Sequence, residues 1–313
     1  MQQLTDQFKF IDSHVHLYDM NHPTLYYGHW QPNEDLPLKE LGNRNYLIEN
    51  FVGDASPLGM KKMIHVQAAI GSKDPVEETK WLEEINKRTG LPNAIVGHVD
   101  LRSNNAKKVI EKHLEYPHFK GIRDFSYGDY LMNNDFRAGF KLQEEFQLIS
   151  SIAARWNEME DLADLAKSFP NIIIVLDHAG NPDYRTKEYF DNWLNSMTKI
   201  SKIENIICKV SGLGMGDHNW TKDSIKPYVY NCLELFGFER SIFGTNWPVD
   251  SLYSNYSKVI ESYRDLTKEF SENEKELFFY TGRNSNDSKN APVFSFPATV
   301  TPSFLGLTTL NNT

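Results

Sequence analysis

The stretch FKFIDSHVHL, from Phe8 to Leu17, decides how the rest of the chain is read. Its first half alternates apolar residues in the manner of a buried strand. Its second half carries His14 and His16. Side chains on a strand alternate faces, so these two imidazoles share a face, about 7 Å apart along the chain. A single histidine on an apolar strand is ordinarily a hydrogen-bonded core residue. Two on one face are expensive to bury without partners. Such a pair can hold a metal ion, or the carbonyl or carboxylate of a substrate.

Beyond this strand the chain falls into a repeat. A long connection runs from Tyr18 to Lys61, too long for a turn, with an aromatic cluster (Tyr26, Tyr27, Trp30) and a short helix expected from Arg44 to Val52. Apolar runs at residues 61–70, 93–101, 119–126, 146–153, 171–180, 203–212 and 240–249 read as further strands. Helical patterns are expected over 75–90, 105–115, 157–168, 225–236 and 256–270. The first of these has Asp74 as its cap, Pro75 in its first turn and Gly90 as its stop. Strands this apolar are buried on both faces, which belongs to a parallel sheet covered by helices. Eight of them predict an α/β fold of the (β/α)8 TIM-barrel type. A doubly wound open sheet fits less well, because no Gly-rich phosphate turn follows the first strand. The barrel is expected to fill residues 1–283. Residues 284–313 read as an irregular C-terminal extension, with no charged side chain from Asn290 onward.

Composition narrows the function. The chain has 313 residues, 40% hydrophobic, enough for a large core. A formal net charge of −9 makes nucleic acid and anionic membranes poor partners. A small-molecule substrate is expected, with a homo-oligomer left open. Cys208 and Cys232 both sit in apolar segments and read as core residues, which suits a reducing compartment. Residues 1–8 are polar, so no secretory leader is expected and the protein is expected to be cytoplasmic.

In a barrel the chemistry gathers at the C-terminal ends of the strands. The polar residues expected there are His14, His16, His65, Gln67, His98, Asp100, Arg123, Asp124, Asp177, His178, Lys209, Ser211, Thr245, Asn246 and, just beyond, Asp250. His65 and His98 read as ordinary packing histidines, and His113 and His118 as surface ones. Lys209 reads as a partner for a helix carboxylate. His178 closes the most apolar strand and is the stronger candidate. Arg123, at a buried strand end, needs an anion: a substrate carboxylate, or else Asp124 or Asp100.

Together IDSHVHLYD, FKGIRDF, VLDHAGNP, CKVSGL and FGTNWPVD, in this order across residues 8–283, resemble the amidohydrolase superfamily. The likeness is to its amidohydrolase-related group, which includes sugar-lactone and pyrone dicarboxylate lactonases. The resemblance implies a metal-dependent-hydrolase-like barrel cleaving a lactone or related ester. It maps the family's HxH pair onto His14 and His16, its sixth-strand histidine onto His178 and its fourth-strand arginine onto Arg123. It departs at strand eight, where the family's Ser-Asp-Trp-Pro-Val places an acid and this chain places Asn246. A neutral amide is neither a general base nor a good metal ligand.

These readings give a set of expectations. The catalytic residues are His14, His16, His178, Asn246 and Asp250, with Asp250 or His178 activating water and Asn246 orienting it. Arg123, Tyr26, Tyr27 and Trp30 bind substrate. Strand five lacks the histidine that the resemblance associates with the superfamily's metal-dependent decarboxylases, and no convincing lysine bridges a two-metal site, so no cofactor is expected to be required. Zn2+ on His14, His16 and His178 is the alternative. The other functions consistent with the sequence are a metal-dependent decarboxylase of the same superfamily and a barrel that binds a metabolite without turning it over.

Overall fold

The computed structural model describes residues 8–32, 34, 37–124 and 130–281. The expected tail lies outside these residues, as do Phe125 and Ser126 of the expected fourth strand. Eight strands are present among the described residues: β1 (Phe10–Val15), β2 (Met60–Val66), β3 (Ala94–Gly97), β4 (Phe119–Ile122), β5 (Ile149–Ile152), β6 (Ile174–Leu176), β7 (Ile206–Val210) and β8 (Ser241–Phe243). They pair in parallel in sequence order from β1 to β8. The helices are α1 (Ile48–Ala55), α2 (Val76–Thr89), α3 (Ala106–His113), α4 (Asn134–Phe140), α5 (Leu142–Glu145), α6 (Met159–Ser168), α7 (Lys187–Ile200), α8 (Lys222–Phe236), α9 (Tyr256–Leu266) and α10 (Glu272–Glu276). This is the expected (β/α)8 barrel.

The seam between β1 and β8 is closed by side chains as much as by backbone. Val15 bridges Trp247, and the His16 amide donates to the Trp247 carbonyl at 2.8 Å. Asp12 accepts from the Thr245 amide at 2.9 Å, the Thr245 hydroxyl at 2.6 Å and the Tyr256 hydroxyl at 2.8 Å. No helix among the described residues is long and apolar enough to cross a membrane.

Two apolar layers position the site. One cluster draws on strands (Ile11, Ile64, Val66, Ala94, Val96, Ile149, Val175, Ile207, Ile242) and fills the barrel interior. A larger one packs strands against helices. Because side chains alternate along a strand, the residues two positions beyond the interior layer also face inward. From Ile149, Val175 and Ile207 that step reaches Ser151, Asp177 and Lys209. On β1 the register shifts between Asp12 and Val15, and such an irregularity resets the alternation. Ile11 thus faces the interior below while His14 and His16 face it above.

Several elements differ from expectation. Helices α4, α5, α7 and α10 fall where none was expected. The strands are shorter than the apolar runs; β8 is cut to three residues, and so is β6. It stops at Leu176 because His178 and Ala179 take left-handed backbone angles (φ 54° and 51°) in the turn Asp177–Gly180. His113 is fully buried rather than on the surface, wedged between the Thr79 hydroxyl (2.9 Å) and the His98 carbonyl (3.1 Å).

Candidate active site

At the C-terminal mouth of the barrel three imidazoles meet. His14 and His16 approach Nε2 to Nε2 at 3.1 Å. The His178 ring centroid is 4.5 Å from that of His14. All three side chains are buried. His178 reaches them because its backbone is left-handed, a conformation a non-glycine residue holds only where the surroundings enforce it. Its Nδ1 lies 3.0 Å from the Ser211 hydroxyl. His16 turns its Nδ1 to the Val66 carbonyl at 2.8 Å, which leaves its Nε2 facing the pocket.

Beneath the imidazoles lies a buried charge cluster built on Asp177. Its two oxygens accept from the Ser151 hydroxyl at 2.8 and 2.9 Å. Lys209 Nζ donates to Oδ1 at 3.0 Å, and Arg123 Nε sits 3.0 Å from Oδ2 as an ion pair. Lys209 also reaches His14 Nδ1 at 3.3 Å. Lys209 therefore pairs with a strand-end carboxylate inside the barrel, not with a helix carboxylate. A protein anion beside Arg123 is Asp177, 3.0 Å from its Nε.

These surroundings set the protonation states. Burial, reinforced by the Lys209 charge, holds His14 well below the usual imidazole range. Burial, with Arg123 next, pushes His16 down to about 3. Burial takes His178 to about 3 as well, against the opposing pull of Asp177. The three rings are neutral and their lone pairs are available. Burial would raise the Asp177 carboxyl, but Lys209 and Arg123 override it and keep the group ionised. Two cations against one carboxylate leave this part of the pocket net positive.

Asn246, left-handed at φ 61°, stands between the histidines and Asp250. Its amide bonds to His16 on one side and donates to Asp250 Oδ2 at 2.7 Å on the other. Asp250 also accepts from the Gly214 amide at 3.2 Å and borders a small cavity with Trp220 and Tyr263. Burial, partly offset by Asn246 and Gly214, raises it to about 7. The carboxyl expected to activate water thus lies behind the amide expected to orient it.

The three mouth aromatics separate. Trp30 meets His16 edge-on at 6.0 Å, packed by Tyr18 at 4.5 Å and stacked on Tyr27 at 5.7 Å. Tyr27 is 1% exposed and its hydroxyl accepts from the Asp19 amide at 3.1 Å, so it supports Trp30 from within the core. Tyr26 is 45% exposed and packs on Gly71 and Ser72. His65 is a satisfied core histidine, between the Leu17 amide (3.2 Å) and Glu78 (3.3 Å). Gly212 went unnoticed in the sequence. It is left-handed at φ 63°, and a Cβ there would lie 2.5 Å from His178 Nδ1. Its place two residues after Lys-Val in CKVSG, at a strand end, was the available signal.

The donor set suits a divalent metal. Among the described residues His14, Asp177 and His178 form a group whose ligand atoms all lie within 4.8 Å of one another. Both Asp177 oxygens are already engaged by Ser151, Lys209 and Arg123, so the three neutral imidazoles are the better ligands.

Comparison with known proteins agrees with this geometry. Residues 11–281 match the family described as Amidohydrolase. The chain is 32% identical over 287 residues to the uncharacterized protein y4mH of Sinorhizobium fredii, covering 86% of this chain and 95% of that one. It is 26% identical over 258 residues to an L-fucono-1,5-lactonase of Burkholderia ambifaria, covering 79% and 82%. A solved amidohydrolase of Burkholderia multivorans with bound zinc superposes with a TM-score of 0.75 at 21% identity, covering 87% and 96%. The expectation that no cofactor is needed does not stand: a structural neighbour carries zinc, and this barrel presents a histidine and carboxylate group able to hold one.

Proposed function

The chain belongs to the amidohydrolase family, and from its site we propose that it is a metal-assisted hydrolase opening the lactone ring of a small sugar acid or similar polyhydroxylated acid. The observation that carries this reading is the meeting of three buried, neutral imidazoles above a net-positive Arg123–Asp177–Lys209 cluster. The L-fucono-1,5-lactonase relatives support the lactone class.

His14, His16 and His178 would hold the metal. A zinc ion there supplies Lewis acidity and lowers the pKa of water, which imidazoles held near 3 cannot do as bases. The chain's own groups do the rest. Lys209 and Arg123 outnumber Asp177 and favour negative charge developing on the lactone carbonyl oxygen. Asn246 orients polar groups at His16, with Asp250 fixing the amide from behind. Trp30 shields His16 from solvent.

The test is a panel of aldono-1,4- and 1,5-lactones and pyrone lactones, followed by acid release. The zinc-loaded protein is expected to open at least one of them, and His178→Ala to lose about a hundredfold or more in kcat/KM. Absence of turnover across the panel, or full activity in His178→Ala, would overturn the proposal.

A further inference from the structure

The geometry points to His98, at the barrel mouth, as a substrate-binding residue that accepts a hydrogen bond from a lactone hydroxyl remote from the carbonyl. The inference takes its ligand class from the lactone reading above.

The place of the His98 side chain follows from β3. Ala94 and Val96 belong to the layer that fills the barrel interior. A Cβ on Gly97 would instead meet Phe119 Cε2 at 3.0 Å, Thr79 Oγ1 at 3.2 Å and His113 Cε1 at 3.3 Å, on the side of α2 and α3. The Arg123 amide donates to the Gly97 carbonyl at 2.9 Å, so the ladder between β3 and β4 runs on to this point. Alternation then turns His98 inward at the C-terminal end of β3, beside the end of β4.

One edge of the residue is held and the other is open. The His98 carbonyl accepts from His113 Nε2 at 3.1 Å, and the Thr79 hydroxyl, 2.9 Å from His113 Nδ1, fixes that buried ring in turn. On the His98 ring, Nδ1 lies 3.3 Å from the Arg123 carbonyl. A carbonyl only accepts, so Nδ1 carries the N–H, and the neutral ring presents a lone pair at Nε2. Among the described residues no partner takes that atom. His65 is the contrast: both its nitrogens are engaged inside the core, by the Leu17 amide and by Glu78. His98 is only half-buried, and neither of its contacts involves His14, His16 or His178. A ring fixed from behind with a vacant acceptor facing the mouth is preorganised for a ligand. An acceptor selects a donor, and the donors on a polyhydroxylated lactone are its hydroxyls.

Two measurements test this, both on zinc-loaded protein. An aldono-1,5-lactam and the unhydroxylated δ-valerolactam are titrated calorimetrically into wild type, His98→Phe and His98→Gln, after circular dichroism has shown the variants folded. His98→Phe is expected to bind the aldonolactam about tenfold more weakly and δ-valerolactam unchanged. His98→Gln, which returns an acceptor oxygen to the Nε2 position, is expected to stay within about threefold of wild type. Ring 15N spectra of wild type, with His98 assigned through its absence in His98→Gln, are expected to show Nε2 shifting on addition of the aldonolactam and not of δ-valerolactam. An unmoved Nε2 signal would overturn the inference whether or not the variants fold. Equal aldonolactam affinity in folded His98→Phe, or an equal loss for δ-valerolactam, would overturn it and leave lactone hydrolysis standing. Aldonolactam binding that depends on His98 in a protein opening no lactone would uphold it and remove the hydrolase reading. Wild type that binds no aldonolactam would overturn it outright.

Discussion

Replacing Asp177 by Asn keeps the shape of the side chain and removes the one negative charge beneath the imidazoles. The consequence can be worked from the geometry. Asp177 is fully buried, with Lys209 Nζ at 3.0 Å and Arg123 Nε at 3.0 Å. At an effective dielectric near 20 each contact is worth about 5 kcal/mol, or about 10 kcal/mol for the two. The desolvation of buried ions, several kcal/mol apiece, offsets more than half of this. What remains, about 3–5 kcal/mol, matches the usual effect of removing one partner from a buried ion pair. Asparagine retains an acceptor for Ser151 but turns an N–H2 toward one of the two cations. Unfolding in urea at pH 7 is expected to show this loss, with Tm falling by about 6–10 °C. Because its carboxyl is held below the usual carboxylate range, Asp177 contributes fully above about pH 4, and wild type loses that contribution in stronger acid. Asp177→Asn lacks that acid dependence. Adding Lys209→Met should return about 2 kcal/mol, a coupling that a packing defect alone would not produce. A loss below about 1 kcal/mol, or strict additivity in the double variant, would refute the reasoning.

Other substitutions probe the same structure. Burial pushes Asp250 up to about 7, so the folded protein holds its proton more tightly than the unfolded chain. The resulting penalty is absent below about pH 4, grows as pH rises and is complete above about pH 7, so Asp250→Asn should gain about 3 kcal/mol relative to wild type between pH 5 and pH 8.5. Equal differences in melting at the two pH values would contradict this. Glu78 Oε1 accepts from the Ala68 amide at 2.8 Å, the Ala69 amide at 2.9 Å and His65 at 3.3 Å. Glu78→Ala strands these donors, and urea unfolding should record a loss of about 2–4 kcal/mol. Gly212→Ala would drive a methyl group against His178, so lactone turnover should fall on the order of a hundredfold while the barrel stays folded. Unchanged kcat/KM would remove Gly212 from the account of the site.

Much of this site was legible in the sequence because its parts are local. The histidines of β1 announce themselves by their spacing, His178 by closing an apolar strand, and the departure at Asn246 by standing where an acid was expected. The charge cluster was not legible. Ser151 and Lys209 come from β5 and β7 and Asp177 from the turn that follows β6, and only the barrel register brings them together. By alternation Lys209 shares a face with Ile207 and Ser211, which pointed inward, but no local signal named its partner. The role of Asp250 also depended on depth, since sequence spacing cannot tell whether a carboxyl four residues past Asn246 lies before or behind the amide. Helix α7 was missed because its Asn, Ser and Thr residues are weak helix formers. Its Thr186 cap and the buried Trp193, Met197 and Ile200 make it a helix through packing. His113 shows the same limit, since the face of α3 that meets the sheet is decided by tertiary contacts.

The claim on which the whole account turns is that the His14, His16 and His178 cluster carries out lactone hydrolysis with a metal bound. The measurement that reaches it most directly is the rate of opening of the best lactone by protein stripped with a chelator, dialysed, and then returned to stoichiometric zinc. Turnover is expected to fall about a hundredfold or more on stripping and to return with zinc in wild type but not in His178→Ala. Undiminished turnover by protein whose zinc content has been measured and found negligible would contradict it.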